Sequence, residues 1–246
     1  MALPITFLLG LFVLAGAAVA GCARNQNRIR ELSIAVAAGA IAVLLVCDLL
    51  PEVVEGAQEL GWPKVLLGIV AGVGLLAALD RFLPEPPGPT PGGHAHDTAL
   101  HVSIAATIAL SLHNIVEGMS VYATATEDLA LALMLAFGIG VHNVPMGMIV
   151  YAGVSDQPVG KRVAVLSTAA LSTFVGGLIM RAMRGTIDEG IVAFMITLTV
   201  GLLLYILVFE LLPHLLHAHD RRQAMLGFLV GAAPVFIGVS LTGMAA

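Results

Sequence analysis

The sequence predicts an all-α polytopic membrane protein with about eight transmembrane helices in one bundle. Of its 246 residues, 59% are apolar and the mean hydropathy is +0.98. Only 11% are charged, whereas a soluble domain carries about a quarter. The 27 glycines fit transmembrane helices whose backbones approach closely. We therefore expect residues 1–246 to form a single transmembrane domain.

Eight apolar runs set the expected helices, because about 20 residues cross a bilayer. The predicted helices are α1 (about Leu3–Cys22), α2 (Leu32–Ala57), α3 (Trp62–Leu83), α4 (Leu100–Ala125), α5 (Leu129–Gly153), α6 (Val163–Met180), α7 (Gly190–Leu212) and α8 (Met225–Gly243). Pro51 is expected to kink α2 or to free one of its backbone carbonyls.

Two connections carry histidines. The stretch Pro84–Thr98, within a loop over about residues 84–99, is rich in proline and glycine and contains His94 and His96, so we predict an exposed loop there. Between α7 and α8 lie His214, His217 and His219. Weak metal capture and an ordinary solvated loop remain equal alternatives for the histidines at 94, 96, 217 and 219.

Basic residues indicate the orientation, since cytoplasmic loops of membrane proteins carry an excess of Lys and Arg. The connections after α1, α3, α5 and α7 and their flanks hold Arg24, Arg28, Arg30, Arg81, Lys161, Arg162, Arg221 and Arg222, whereas the other connections hold Lys64, Arg181 and Arg184. This bias predicts that both termini lie outside and that the 84–99 loop is cytoplasmic.

The most informative stretch lies within α4 and holds His113, Asn114 and Glu117. Ionisable residues at membrane depth are a functional-site hypothesis by default. On a helix, His113 and Glu117 are four residues apart and share one face. A related stretch in α5 contains His142 and Asn143, so the two helices can pool imidazoles, amides and one carboxylate as metal ligands.

A second pair of motifs predicts inverted-repeat character. Asp48-Leu-Leu-Pro-Glu52 in α2 resembles Glu210-Leu-Leu-Pro-His214 at the end of α7. By the predicted orientation these two helices run in opposite directions, as in transporters built from inverted repeats. These motifs give Asp48, Glu52, Glu210 and His214 as candidate pathway or gate residues, and Met146 of α5 is a further candidate.

At these residues the chain resembles the ZIP (Zrt/Irt-like) family of divalent-metal transporters, over nearly its whole length. The α4 stretch is the most specific match, and the family pattern His-Asn-x-Pro-Glu-Gly is met in α5 by His142, Asn143, Pro145 and Gly147. The resemblance implies eight spans and passive or gradient-driven uptake of zinc, iron or manganese ions toward the cytoplasm.

Two positions depart from the family pattern. Met146 stands where the α5 glutamate is expected, and the α6 segment Leu171–Gly176 lacks its acid, with Thr173 in that place. Family members with all these carboxylates bridge two metals. Here the resemblance implies one ion held by His113, Glu117 and His142, with Asn114, Asn143 or water completing the shell. Met146 is more often packing than a ligand, because a thioether mainly suits Cu(I).

Functions of two other classes compete with transport. An intramembrane zinc protease would require His-Glu-x-x-His, and Asn114 follows His113 here, so we expect no enzyme and no resident cofactor. A metal-binding scaffold or sensor without transport remains the alternative, favoured by the missing carboxylates. Expected partners are the metal ion and the lipid bilayer of a bacterial inner membrane. The net charge of -5 argues against nucleic acid, and a homodimer is left open.

Overall fold

The computed structural model describes residues 1–81, 94–183, 189–218 and 220–243, and within these ranges it is helical without strands. Eight helices are long and apolar enough to cross a membrane, which confirms the predicted fold class. They are α1 (Ala2–Gly21), α2 (Gln26–Leu44, Leu45–Leu49 and Leu50–Leu60), α3 (Trp62–Asp80), α4 (His94–Glu127), α5 (Leu129–Val154), α6 (Val159–Ala182), α7 (Glu189–Tyr205, Ile206–Leu211 and Leu212–Leu216) and α8 (Arg221–Gly243).

Two of these helices are interrupted by a π-helical turn at corresponding motifs. In α2 the segment Leu45–Leu49 is π-helical and Pro51 follows it, and in α7 the segment Ile206–Leu211 is π-helical and Pro213 follows it. Proline donates no hydrogen bond and its ring clashes with the carbonyl one turn earlier, and a wider turn relieves that clash. The predicted disturbance at Pro51 is thus a π-turn, and it occurs twice.

Several helices begin earlier than their apolar runs indicated. The expected loop Pro84–Thr98 is wrong over its last five residues, because α4 already begins at His94; the part before residue 94 lies outside the described residues. No glycine or proline follows Gly93 until Gly118, so nothing in the chain interrupts the helix there. Likewise α6 begins at Val159, directly after Pro158, rather than at Val163.

Side-chain caps fix the first residues of three helices, α2, α5 and α8. Asn25 accepts a hydrogen bond from the Arg28 backbone N–H at 3.1 Å and starts α2. Asp128 and Asp220 cap α5 and α8 in the same way. Such caps satisfy backbone donors that have no partner within the helix, and they lie in polar sequence outside the apolar runs.

The helices pack as two groups of four. In the first group α1 packs on α5 and α6, and α4 packs on α5 and α6. In the second group α2 packs on α8, α3 on α7, and α2 on α7. The same helix–helix contacts within each group are obtained if α1 is relabelled as α6, α2 as α7, α3 as α8 and α4 as α5, and the reverse. These partners run in opposite directions, so the packing has the symmetry of an inverted repeat.

Glycines bring the helices of the first group into backbone contact. A Cβ added to Gly118 of α4 would overlap the carbonyl of Thr173 in α6, and one added to Gly147 of α5 would overlap the carbonyl of Val13 in α1. Small residues allow this close approach in membranes. The contacts fix how α4 and α5, which carry the candidate ligands, sit against their neighbours.

Candidate metal centre

Two histidines and one glutamate meet between α4 and α5. Glu117 Oε1 lies 2.9 Å from His113 Nε2 and 2.7 Å from His142 Nε2. The first pair spans one turn of α4, and the second pair crosses to α5. The three side chains are 2%, 9% and 2% exposed for His113, Glu117 and His142, so the carboxylate lies out of solvent between two imidazoles.

The arrangement has the dimensions of a metal site. One potential ligand atom from each of the three residues lies within 4.8 Å of the other two. Tetrahedral coordination with bonds of 2.0–2.1 Å separates ligand atoms by about 3.3 Å. A bound metal ion would therefore lengthen each distance between an imidazole nitrogen and the Glu117 oxygen by only about half an ångström. Two nitrogens and one oxygen form a ligand set that suits zinc and other first-row divalent ions.

The two asparagines of the motifs are completely buried beside these ligands. Asn114 Nδ2 donates to the Ala169 carbonyl of α6 at 3.4 Å. Among the described residues, Asn114 Oδ1 and both polar atoms of the Asn143 amide have no hydrogen-bond partner. Buried amides are normally paired, so these atoms are available to a ligand or to water.

A narrow cavity of about 60 Å³ reaches the three ligands. Its lining combines α4 and α5 with residues of the second group, among them Asp48 and Glu52 of α2. Glu52 is exposed and Asp48 is partly buried, so carboxylates lead from the surface to Glu117. His142 lies at the middle of α5. The other lining residues lie in the halves of their helices nearest the α2–α3, α4–α5 and α6–α7 connections and the end of α8, which we call the α2–α3 end of the bundle.

The opposite end, where α1 connects to α2, is held together by a buried arginine. Arg30 of α2 is 8% exposed. Its guanidinium donates to the Ala152 carbonyl at 3.1 Å, donates to Ser155 Oγ at 2.7 Å and pairs with Asp156. These contacts join α2 to the end of α5, so helices from both groups meet there, while the cavity lies at the α2–α3 end.

Met146 does not line this cavity. It is 2% exposed and belongs to the main apolar cluster, together with Val13 of α1 and Ile41 of α2. Thr173, at the second departure from the family pattern, is fully buried and contributes no carboxylate. The structure therefore favours the packing interpretation of Met146 over a ligand role.

Met146→Leu accordingly should leave zinc affinity within about twofold of the wild type, because a volume-conserving exchange in an apolar cluster is well tolerated. Isothermal titration of the detergent-purified protein measures this. The conservative exchange Met134→Leu, at an exposed position of α5, is the matched control. A tenfold loss confined to Met146→Leu would make the sulfur a ligand.

The remaining pathway candidates lie elsewhere. Glu210 is 8% exposed within the π-turn of α7, and His214 Nδ1 donates to its carbonyl oxygen at 2.5 Å. Neither lines the cavity. His217 is exposed, the side chains of His94 and His96 are not among those described, and His219 lies outside the described residues.

Two polar cavity residues were not predicted from the sequence. Ser120 follows Glu117 by three residues, so the helical periodicity of α4 could have placed it on the same face. Thr199 of α7 lies in an apolar run with Thr197, and no motif distinguishes the two. Only the packing of the two groups brings Thr199 to the cavity.

Comparisons with known proteins agree with this architecture. The family model described as ZIP zinc transporter matches residues 89–239, which is more than half of the chain. The chain is 28% identical to the zinc transporter ZupT of Escherichia fergusonii, covering 97% of this chain and 95% of that protein. It is 28% identical to ZupT of Shigella dysenteriae, over 85% and 83% of the two chains. It is 27% identical to ZupT of Salmonella newport, over 89% of this chain and 86% of that protein.

The matched residues contain both motif stretches, the helices α4 to α7 and most of α8. The alignment to the Escherichia fergusonii protein covers 97% of this chain, so the resemblance includes α1 to α3. The chain is an integral membrane protein that belongs to the ZIP zinc transporter family.

Proposed function

We propose that this chain moves divalent transition-metal ions across the membrane toward the cytoplasm, one ion at a time, through the site formed by His113, Glu117 and His142. The observation that carries the proposal is the meeting of these three buried side chains, with ligand atoms within 4.8 Å of one another, beside a cavity. Asn114 and Asn143, or water, complete the coordination shell.

Zinc is the expected cargo, with iron and manganese as further candidates. Imidazole ligands suit zinc, copper, iron and nickel, and a carboxylate adds affinity for harder ions. The curated relatives are named zinc transporters. One carboxylate against a dication leaves a net positive charge at the site, so the ion binds more weakly than between two carboxylates. Weak binding permits release within a transport cycle.

The route begins at the α2–α3 end. Glu52 and Asp48 attract a cation from solvent and pass it to Glu117 in the same cavity. Glu210 and His214 lie in the last part of α7, toward the α1–α2 end, and we assign them to the release side. This assignment uses the correspondence of the two acidic-Leu-Leu-Pro motifs, which occupy equivalent π-turns.

The direction follows from the basic residues. Their excess at the α1–α2 end favours a cytoplasmic position for that end and for the connection between α3 and α4. With that orientation the cavity faces outward and both termini lie outside. With this orientation in a bacterial inner membrane, the transporter is a single domain of residues 1–246 that imports its ion.

Cysteine labelling tests the orientation. Native Cys22 is exposed at the α1–α2 end, and Glu127 is exposed at the other end. Two variants are compared, both with Cys47→Ser: one keeps Cys22, and the other combines Cys22→Ser with Glu127→Cys. A membrane-impermeant maleimide applied to intact spheroplasts should label the cysteine at position 127. It should leave Cys22 unlabelled until the spheroplasts are opened. Labelling of both positions from the same side would contradict the topology.

Flux into proteoliposomes tests the function against the non-transporting scaffold. The purified protein should carry zinc into vesicles down its gradient, and a panel of iron, manganese, zinc and calcium ions should rank the cargo. A scaffold or sensor would bind zinc in titration but give the flux of empty vesicles. That second result, with binding intact, would replace transport by the alternative.

A further inference from the structure

Thr199 places a hydroxyl group from the second helix group at the cavity that reaches the candidate metal ligands. The residue is 1% exposed on α7 and shares the cavity lining with His113, Glu117 and His142. Its Oγ1 has no hydrogen-bond partner within the described part of the chain. A buried hydroxyl left unpaired destabilises a protein, so this one calls for an explanation.

Most other threonines in these helices do not behave in this way. Their hydroxyls donate to a carbonyl oxygen three or four residues earlier, which is the usual way a helical threonine is satisfied. Examples are Thr6, Thr124, Thr126, Thr168 and Thr197. Thr197 is only two residues away on the same helix and donates to the Phe194 carbonyl at 2.7 Å. The helical context of α7 therefore does not prevent such a bond.

The chemistry of the site supplies a partner. His113, Glu117 and His142 provide three protein ligands, and zinc sites with three protein ligands keep a fourth position for water or substrate. A water molecule in that position needs a hydrogen-bond acceptor. A hydroxyl both accepts and donates, and it adds no charge that would trap the ion. The cavity of about 60 Å³ has room for an ion with one water, since about 10–15 Å³ of such volume holds a water molecule.

We propose that Thr199 Oγ1 accepts a hydrogen bond from the water bound to the transported ion, which makes Thr199 a positioning residue for the cargo. The inference rests on the proposed function of the same site. The triad belongs to α4 and α5 of the first group, and Thr199 belongs to α7 of the second group. The hydrated ion is thereby held by both helix groups at once.

Thr199→Val tests the proposal, because it removes the hydroxyl and keeps the shape. We expect the zinc dissociation constant to rise about three- to tenfold, the effect of losing one ordinary hydrogen bond. Thr199→Ser should stay close to the wild type. Thr197→Val is the matched control, since its hydroxyl is satisfied within α7 and packs toward Gly68 of α3. Titration calorimetry and thermal melts, each with and without zinc, provide the readouts.

The melts separate a ligand role from a structural one. Without zinc, Thr199→Val should be no less stable than the wild type, because its hydroxyl has no partner to lose; the zinc-induced rise in melting temperature should shrink, since bound ligand stabilises in proportion to affinity. Thr199→Ala serves as a second variant and should show the same loss of affinity. Unchanged zinc affinity in both variants would overturn this proposal alone, whereas a wild type that binds no zinc would overturn the metal site with it.

Discussion

Glu117→Gln is expected to reduce zinc flux to the level of empty vesicles. The glutamine keeps the size of the side chain but removes the one negative charge that faces both imidazoles, at 2.9 and 2.7 Å. A dication would then meet only neutral ligands at a buried position, where uncompensated charge is costly. His113→Ala, which deletes a ligand, should give the same loss. The fluorescence of a zinc-sensitive dye trapped in proteoliposomes measures the zinc flux of both variants.

Folding controls accompany this experiment. Glu127→Gln makes the same chemical change at an exposed position at the end of α4 and should retain wild-type flux. Both variants should elute from a sizing column as the wild type does. Normal zinc flux through Glu117→Gln would remove the central claim of the proposed function.

Gly118→Ala is expected to lower stability strongly, because it overpacks the contact between α4 and α6. The added Cβ would overlap the Thr173 carbonyl, a backbone atom that cannot turn away. Helices α4 and α6 must then separate, and overpacking of this kind costs about 3 kcal/mol. Because Glu117 is the preceding residue, we expect zinc affinity to fall as well. Thermal melting in detergent measures the first effect and titration the second.

Gly74→Ala is the matched control for that loss. An added Cβ there meets no atom within 4 Å, and replacing a helical glycine by alanine is favourable by up to about 1 kcal/mol. The two alanine variants should therefore change stability in opposite directions. Equal melting temperatures for both would show that α4 and α6 are not closely packed at Gly118.

The eight helices were predictable because the physics that sets them is local. Length and apolarity alone determine which segments can cross a bilayer, and these are read directly from the sequence. The ends were less predictable, since Asn25 and Asp220 cap their helices from polar stretches. For α4, six residues from His94 onward continue the helix beyond the apolar run.

The residues of the candidate site likewise divide into those that local sequence predicts and those that depend on helix packing. His113 and Glu117 share a helix face by spacing, and His142 was selected by its similar motif, so the sequence alone brought these three residues forward. Thr199 reaches the cavity only through the packing of α7 against the first group, which no local pattern encodes. The environment of Met146 likewise depends on α1 and α2, and its residue type left packing and ligation open.

The two π-turns also bear on where the bundle can bend. Sharp kinks in helices occur at prolines and at π-bulges, and here both coincide at the acidic-Leu-Leu-Pro motif of α2 and of α7. These two helices pack on each other in the second group, and their motifs lie toward opposite ends of the bundle. The second group therefore has one bending point near each end, on the two helices that carry the candidate pathway carboxylates.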